Sequence, residues 1–190
     1  CIPFHFGMKN WQFFLTRCLE SIEKQTFKDF EIILIKHSTM PITSNRVIES
    51  AKGDIIKVLY VDDYLSDKNS LENIVENFKG GWLATACVHD NGDEIGNYHV
   101  PSFDGILEGR NTIGSPSVIA FENSKPLLFD EKMSWLLDVE LYQRLFKRYG
   151  EPTLLNSSDT TIGTHKGQMT HILTSEEKTN EEIYLREKCR

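Results

Sequence analysis

The stretch Ala51-Lys52-Gly53-Asp54-Ile55-Ile56-Lys57-Val58-Leu59-Tyr60-Val61-Asp62-Asp63 reads as a helix end, a buried strand and two adjacent carboxylates at the strand's tip. Ile55, Ile56, Val58, Leu59 and Val61 form the near-continuous apolar run of a strand covered on both faces. Gly53 suits the left-handed position that closes a preceding helix. In an open α/β sheet, ligands bind beyond the carboxyl ends of the strands. Asp62 and Asp63 are therefore sited to hold a divalent cation against a phosphate. Taken alone, the same pair would equally well begin a solvated loop.

On the N-terminal side, Trp11, Phe14, Leu15, Cys18, Leu19 and Ile22 fall at helical spacing, with Asn10 as the expected N-cap. Residues 31–35 read as a short buried strand and residues 42–52 as a second helix. Beyond the acidic pair, Ser70 can cap a helix carrying Leu71, Ile74, Val75 and Phe78, which Gly80-Gly81 ends. This alternation of strand and helix predicts a doubly wound α/β unit with a mostly parallel sheet.

The pattern then changes. Residues 82–89 read as a strand, Asn91-Gly92 is a hairpin turn signal, and residues 95–100 can return alongside. Residues 117–121 are a further strand candidate. Trp135, Val139, Tyr142, Phe146 and Tyr149 mark one face of a long helix that stops at Gly150, before Pro152. Residues 175–190 are highly charged and read as a peripheral helix or a tail. The organisation expected is one domain: a nucleotide-binding half over 1–81, an acceptor and catalytic half over 82–174, and the charged end.

At 190 residues the chain can build a core without staples. Its 39% hydrophobic and 26% charged residues are those of an ordinary globular protein, and no apolar run approaches the ~20 residues that span a bilayer. The chain opens on Cys1 rather than Met, so its natural start is expected a few residues upstream. Cys1, Cys18, Cys87 and Cys189 are scattered, which points to a reducing, cytoplasmic setting and away from a structural zinc site. A net charge of −7 disfavours nucleic acid as a partner. An acidic protein that binds an anionic nucleotide needs local positive charge, which a metal ion would supply.

Taken in order, these segments resemble the inverting family 2 glycosyltransferases of the GT-A fold. Ile2-Pro3-Phe4 sits where that family ends its first strand. The segments KQTFKDFEIILI (24–35) and SNRVIESAKGDIIKVLYVDD (44–63) parallel its nucleotide-binding half. NTIGSPSVIAF (111–121) is similar to its acceptor-side segment, SWLLDVELYQRLFKRYGEP (134–152) to its catalytic helix, and IGTHKGQMT (162–170) to its late metal-ligand loop. The departures fall on nucleotide choice. The family's DxD reads Tyr60-Val61-Asp62, so the first carboxylate is gone. Its VDDGS reads Ile35-Lys36-His37-Ser38-Thr39, its Arg-Asn pair Ser44-Asn45, and its ED pair Leu137-Asp138.

The resemblance implies a GT-A-like sheet flanked by helices, a nucleotide-sugar donor, a Mn²⁺ or Mg²⁺ ion and a hydroxyl-bearing glycan or other acceptor. Asp62, Asp63 and His165 would hold the metal, imidazole favouring Mn²⁺. Asp138 would be the general base, with Trp135 and Ser115 on the acceptor side. Pro3, Phe4, His5, His37, Asn45 and Asp62 would contact the donor. Two other readings stand beside this one: a non-catalytic nucleotide-sugar or glycan-binding module, and a sugar-nucleotidyltransferase. The latter wants a Gly-rich basic loop, for which His5-Phe6-Gly7-Met8-Lys9 is a poor candidate. The chain is expected to work as a homo-oligomer or as part of a longer polypeptide.

Overall fold

The computed structural model describes residues 1–5, 10–37 and 39–188. A short strand β1 (Ile2–His5) precedes helix α1 (Trp11–Glu23), followed by β2 (Leu34–His37), α2 (Met40–Ser50), β3 (Ile55–Lys57), the two-residue β4 (Tyr64–Leu65) and α3 (Ser70–Asn77). The second half runs β5 (Trp82–Asp90), β6 (Ile95–His99), β7 (Ile119–Glu122), α4 (Leu137–Tyr149), β8 (Thr153–Gly163), α5 (Met169–Ile172) and α6 (Ser175–Lys188).

The sheet corrects the expected topology. Strands β1 and β2 pair in parallel, but the larger sheet, in the order β3-β7-β5-β8-β4 with β6 on β5, is largely antiparallel. Its only parallel ladder among the described residues joins β5 to β8. The cause lies in residues 51–63. Only Ile55–Lys57 stays in a ladder, antiparallel to β7. From Val58 the chain leaves that ladder and brackets the first residue instead: the Cys1 amine donates to the Lys57 carbonyl (2.9 Å), and the Leu59 N–H donates to the Cys1 carbonyl (2.9 Å). The apolar run is buried as expected, with Ile56, Val58, Leu59 and Val61 all inside, but as strand plus extended connection.

Several local expectations shift for physical reasons. Asn10 has φ 59 and makes no side-chain cap, using instead the left-handed tolerance of asparagine. Gly53 is not left-handed: α2 ends at Ser50, and the Glu31 carboxylate accepts from the Lys52 and Gly53 amides (2.5 and 3.0 Å). By contrast, Gly80, Gly81, Gly92 and Gly150 do take positive φ at the breaks predicted for them. Strand β8 escaped the sequence reading altogether. Its residues, TLLNSSDTTIG, are largely polar, yet it is the partner that β5 follows along its length.

Two buried clusters hold the halves of the molecule. One packs α4 on the sheet, with Trp82 stacked on Tyr142 (centroids 5.8 Å, 25°) and the Trp82 indole donating to the Gly150 carbonyl (2.9 Å). The other packs Cys18 and Ile22 of α1 on Phe4, Leu59 and Val61. Cys1, Cys18 and Cys87 are free thiols. Among the described residues, no helix is long and apolar enough to cross a membrane.

Candidate active site

The turn after β3 builds one wall of a cavity. The Tyr60 amide donates to Ser117 Oγ (2.8 Å) and the Asp63 amide to the Tyr60 carbonyl (2.9 Å), which leaves Asp62 9% and Asp63 2% exposed. Arg17 of α1 fixes this turn from behind. Its guanidinium donates to the Asp62 carbonyl (2.6 Å) and to Asp90 Oδ2 (2.6 Å), and lies 4.3 Å from the Tyr64 ring centroid. The end of β8 closes against the turn, where the Gly163 amide donates to Asp63 Oδ1 (2.9 Å). A Cβ on Gly163 would overlap the Asp62 carbonyl and stand 3.0 Å from Arg17 Nη2, so this approach requires glycine. Burial, then the neighbouring Asp62, push the Asp63 carboxyl well above the usual carboxylate range. Behind it, burial lowers the Lys57 ammonium to about 8, while its Nζ donates to the Ser117 carbonyl.

His165, just past β8, brings Nε2 to 3.1 Å from Asp62 Oδ2. Its ring stacks on Phe14 (5.3 Å, 26°), and its Nδ1 accepts the Gly167 amide (3.1 Å). With Nδ1 an acceptor, the neutral ring carries its proton on Nε2, facing Asp62.

The opposite wall comes from α4 and the loop before β7. Asp138, in the first turn of α4, accepts from Asn111 Nδ2 at Oδ2 (2.7 Å) and from the Val139 amide at Oδ1 (2.7 Å). Asn111 is oriented in turn by Gly114, whose amide it accepts (2.8 Å) and whose carbonyl it donates to (3.1 Å). Burial pushes the Asp138 carboxyl up to about 7; the Glu181 charge adds to this, and the hydrogen bonds oppose it. Between the two walls lies a cavity of about 300 Å³, within the range of small-molecule sites.

No family model and no curated protein sequence matches the chain. Solved structures do. Residues 1–349 of S. aureus TarS in complex with UDP-GlcNAc align with a TM-score of 0.69 at 16% identity, covering 97% of this chain and 63% of that one. The same fragment in complex with UDP gives a TM-score of 0.61 at 12% identity, over 87% of this chain and 60% of that one. TarS is a family 2 glycosyltransferase of the GT-A fold. This chain has the GT-A fold. It spans less than two thirds of the TarS fragment, and at these identities the likeness is one of fold.

Within the GT-A frame, the cavity gathers Asp62, Asp63, Ser115, Trp135, Asp138 and His165 from separate stretches of the sequence. It does not gather the residues expected around the nucleotide. Pro3 and Phe4 lie in β1, outside the cavity lining, with Phe4 stacked on Trp11 (5.6 Å). His37 stands at the end of β2, in register with His5, whose side chain lies outside the described residues. Asn45 is buried elsewhere: its side chain donates to the Phe129 carbonyl (3.0 Å) and accepts the Phe129 amide (2.7 Å). Glu140, two residues beyond Asp138, does not line the cavity; it pairs with Arg144 and Lys188. The sequence reading missed Arg17, Asn111 and Gln168. Asn111 and Gln168 lie inside the quoted segments at NTIG and HKGQ, where turn composition was the available signal. For Arg17, nothing in the sequence tied a helix residue to a turn 45 positions away.

Among the described residues, no group of three or more His, Cys, Asp or Glu side chains is arranged to hold an ion. The Asp62–His165 pair still suits one by spacing. Two donors in adjacent positions of an octahedral ion, each ~2.1 Å from it, lie about 3 Å apart. An ion would replace the proton between them. Nδ1 would then become the protonated nitrogen and lose the Gly167 amide, so the turn at 165–168 has to adjust.

Proposed function

We propose that this chain is a glycosyltransferase domain that moves a sugar from a nucleotide-sugar donor to a hydroxyl acceptor, with inversion at the anomeric carbon. The observation that carries this reading is the meeting of Asp62 and Asp138 across one cavity in a GT-A fold. Asp138 takes the proton of the acceptor hydroxyl as that oxygen attacks the anomeric carbon. The bond from that carbon to the phosphate oxygen breaks on the opposite side, and the nucleoside diphosphate leaves with the electron pair. A carboxyl with a pKa of about 7 has the matched strength expected of a general base near neutrality. Asn111 fixes one of its oxygens, and Trp135 and Ser115 line the side from which an acceptor would come.

A Mn²⁺ or Mg²⁺ ion held by Asp62 and His165 would supply positive charge for the departing diphosphate. Phe4, His37 and the neighbouring residues of the β1–β2 end are assigned to base and ribose. Asn45 is left out of that set because its amide is already engaged. The test is to incubate the purified chain with UDP-GlcNAc and other nucleotide sugars plus Mn²⁺, following nucleoside diphosphate release by ³¹P NMR. Absence of both turnover and thermal stabilisation with every donor would overturn the reading.

One observation favours a second reading. Tyr60 stands where the resemblance expects a carboxylate, and its hydroxyl is buried without a hydrogen-bond partner among the described residues. A non-catalytic nucleotide-sugar-binding module would tolerate that exchange. Stabilisation by donor without any release of diphosphate would favour it.

A further inference from the structure

Helix α4 starts without a cap of its own. Leu136 occupies the N-cap position and has no side-chain acceptor, although the first amides of any helix lack partners within it. The missing acceptor comes from α6, about 45 residues downstream. Glu181 Oε1 accepts the Ser134 amide (2.8 Å), and Oε2 accepts those of Trp135 and Leu136 (both 2.9 Å). A carboxylate at this end of a helix is also favoured by the macrodipole.

The three amides belong to the turn that carries Trp135 into the cavity and leads directly to Asp138. Polar contacts dominate the seating of α6. Leu185 is its one buried residue; Tyr184 donates to Asp130 (2.9 Å), Lys188 pairs with Asp130 (2.5 Å) and Glu140 (2.7 Å), and Lys178 lies 5.3 Å from the Trp135 ring centroid.

We infer that Glu181 is a positioning residue for the acceptor side of the site, holding the 134–136 turn so that Trp135 and Asp138 face the cavity together. The inference rests on the proposed transfer reaction for its catalytic consequence, but not for the local one. Without Glu181, three adjacent amides lose their acceptor, and the turn is free to reorient. The donor wall, built by Asp62, Asp63 and His165 on other elements, is untouched.

The test compares wild type, Glu181→Ala, Glu181→Gln and, as a control that loosens α6 without touching the amides, Tyr184→Phe. Hydrogen exchange followed by mass spectrometry reads the amides of 134–136 whether or not any sugar moves. Exchange there should rise roughly fivefold in Glu181→Ala, the fold-change of a typical lost cap, less in Glu181→Gln, and little in Tyr184→Phe. Transfer from UDP-GlcNAc to a para-nitrophenyl glycoside acceptor should fall about tenfold in Glu181→Ala, through acceptor KM and kcat, with donor KM unchanged. Unaltered exchange in Glu181→Ala overturns the inference, as does faster exchange with full transfer, or an equal loss of donor binding. If wild type releases no diphosphate, the transfer reading falls, and exchange alone decides whether Glu181 holds the turn.

Discussion

Replacing Asp138 by asparagine separates the proton acceptor from everything else the residue does. Both oxygens of Asp138 accept hydrogen bonds, from Asn111 and from the Val139 amide. An asparagine has one acceptor oxygen, so one of these bonds is lost, at a cost of about 1 kcal/mol. Acting the other way, the aspartate is held protonated to about 7 from an ordinary 3.8 because burial disfavours its charge. The sign follows from linkage. The folded state binds the extra proton between roughly pH 4 and 7, so the aspartate's contribution to stability is full below pH 4 and is lost as pH rises through 7. At pH 8 the wild type therefore carries a penalty of at most about 4 kcal/mol, less where cavity water reaches the carboxylate, and the asparagine variant escapes it. Asp138→Asn is thus expected to melt at or above wild type at pH 8 and no higher than wild type at pH 4. Turnover should fall by ~10²-fold or more, with donor affinity unchanged. Wild-type turnover should itself rise about tenfold from pH 6 to pH 8 as the base ionises, a limb absent from the variant's residual activity. Melting curves and a pH–rate series on both proteins test this. Near-normal turnover in the variant, with the acidic limb intact, would refute the reasoning.

Other outcomes follow from the donor wall and the helix. UDP should stabilise the chain more with Mn²⁺ than with a chelator, and Asp62→Ala should abolish the difference in a thermal-shift assay while leaving the apo protein folded; equal shifts in wild type would remove the metal. Gly163→Ala should cost about 1–3 kcal/mol by denaturant titration and weaken donor binding, because its Cβ meets the Asp62 carbonyl and the Arg17 guanidinium; a neutral effect would mean that the β8 end does not press on the turn. Glu140→Gln should lower stability by about 1–3 kcal/mol, since Arg144 and Lys188 lose a buried counter-charge. Its catalysis should stay near wild type, and a folded but inactive variant would move the base from Asp138 to Glu140.

What the sequence showed of the fold was what hydrophobic pattern and turn chemistry encode. Helix α4 announced itself by its four-and-three spacing, and β5 and β6 by an apolar run followed by Asn91-Gly92. Sheet direction is not encoded in that way. A run such as Ile55–Val61 is buried whether its neighbour runs parallel or antiparallel, and here the neighbour is β7, distant in sequence. Strand β8 stayed hidden because its burial is uneven. Asp159, Thr160 and Thr161 are buried although polar, with Asp159 accepting from Asn73 Nδ2 (2.7 Å) and Thr160 donating to the Ser117 carbonyl (3.1 Å). Only a folded partner makes a polar strand worth burying.

For the site, the division runs between side chains that line the cavity and those that hold the liners in place. Asp62, Asp138, Trp135 and His165 were legible because their segments carry ordered chemistry: an acidic tip, an amphipathic helix with a carboxylate in its first turn, a histidine among turn residues. The holders act across distances that no local pattern records. Arg17 reaches the Asp62 carbonyl from α1, Asn111 orients Asp138 from a loop, and Glu181 caps a helix that starts on a leucine. Each of the three serves a residue from another element, so each became visible only once the chain was folded. Glu181 is the plainest case, because its absence from the local sequence is itself a signal: Leu136 and Leu137 open α4 where a capping side chain is expected. An uncapped start on an otherwise well-formed helix is a reason to look for an acceptor supplied from elsewhere in the fold.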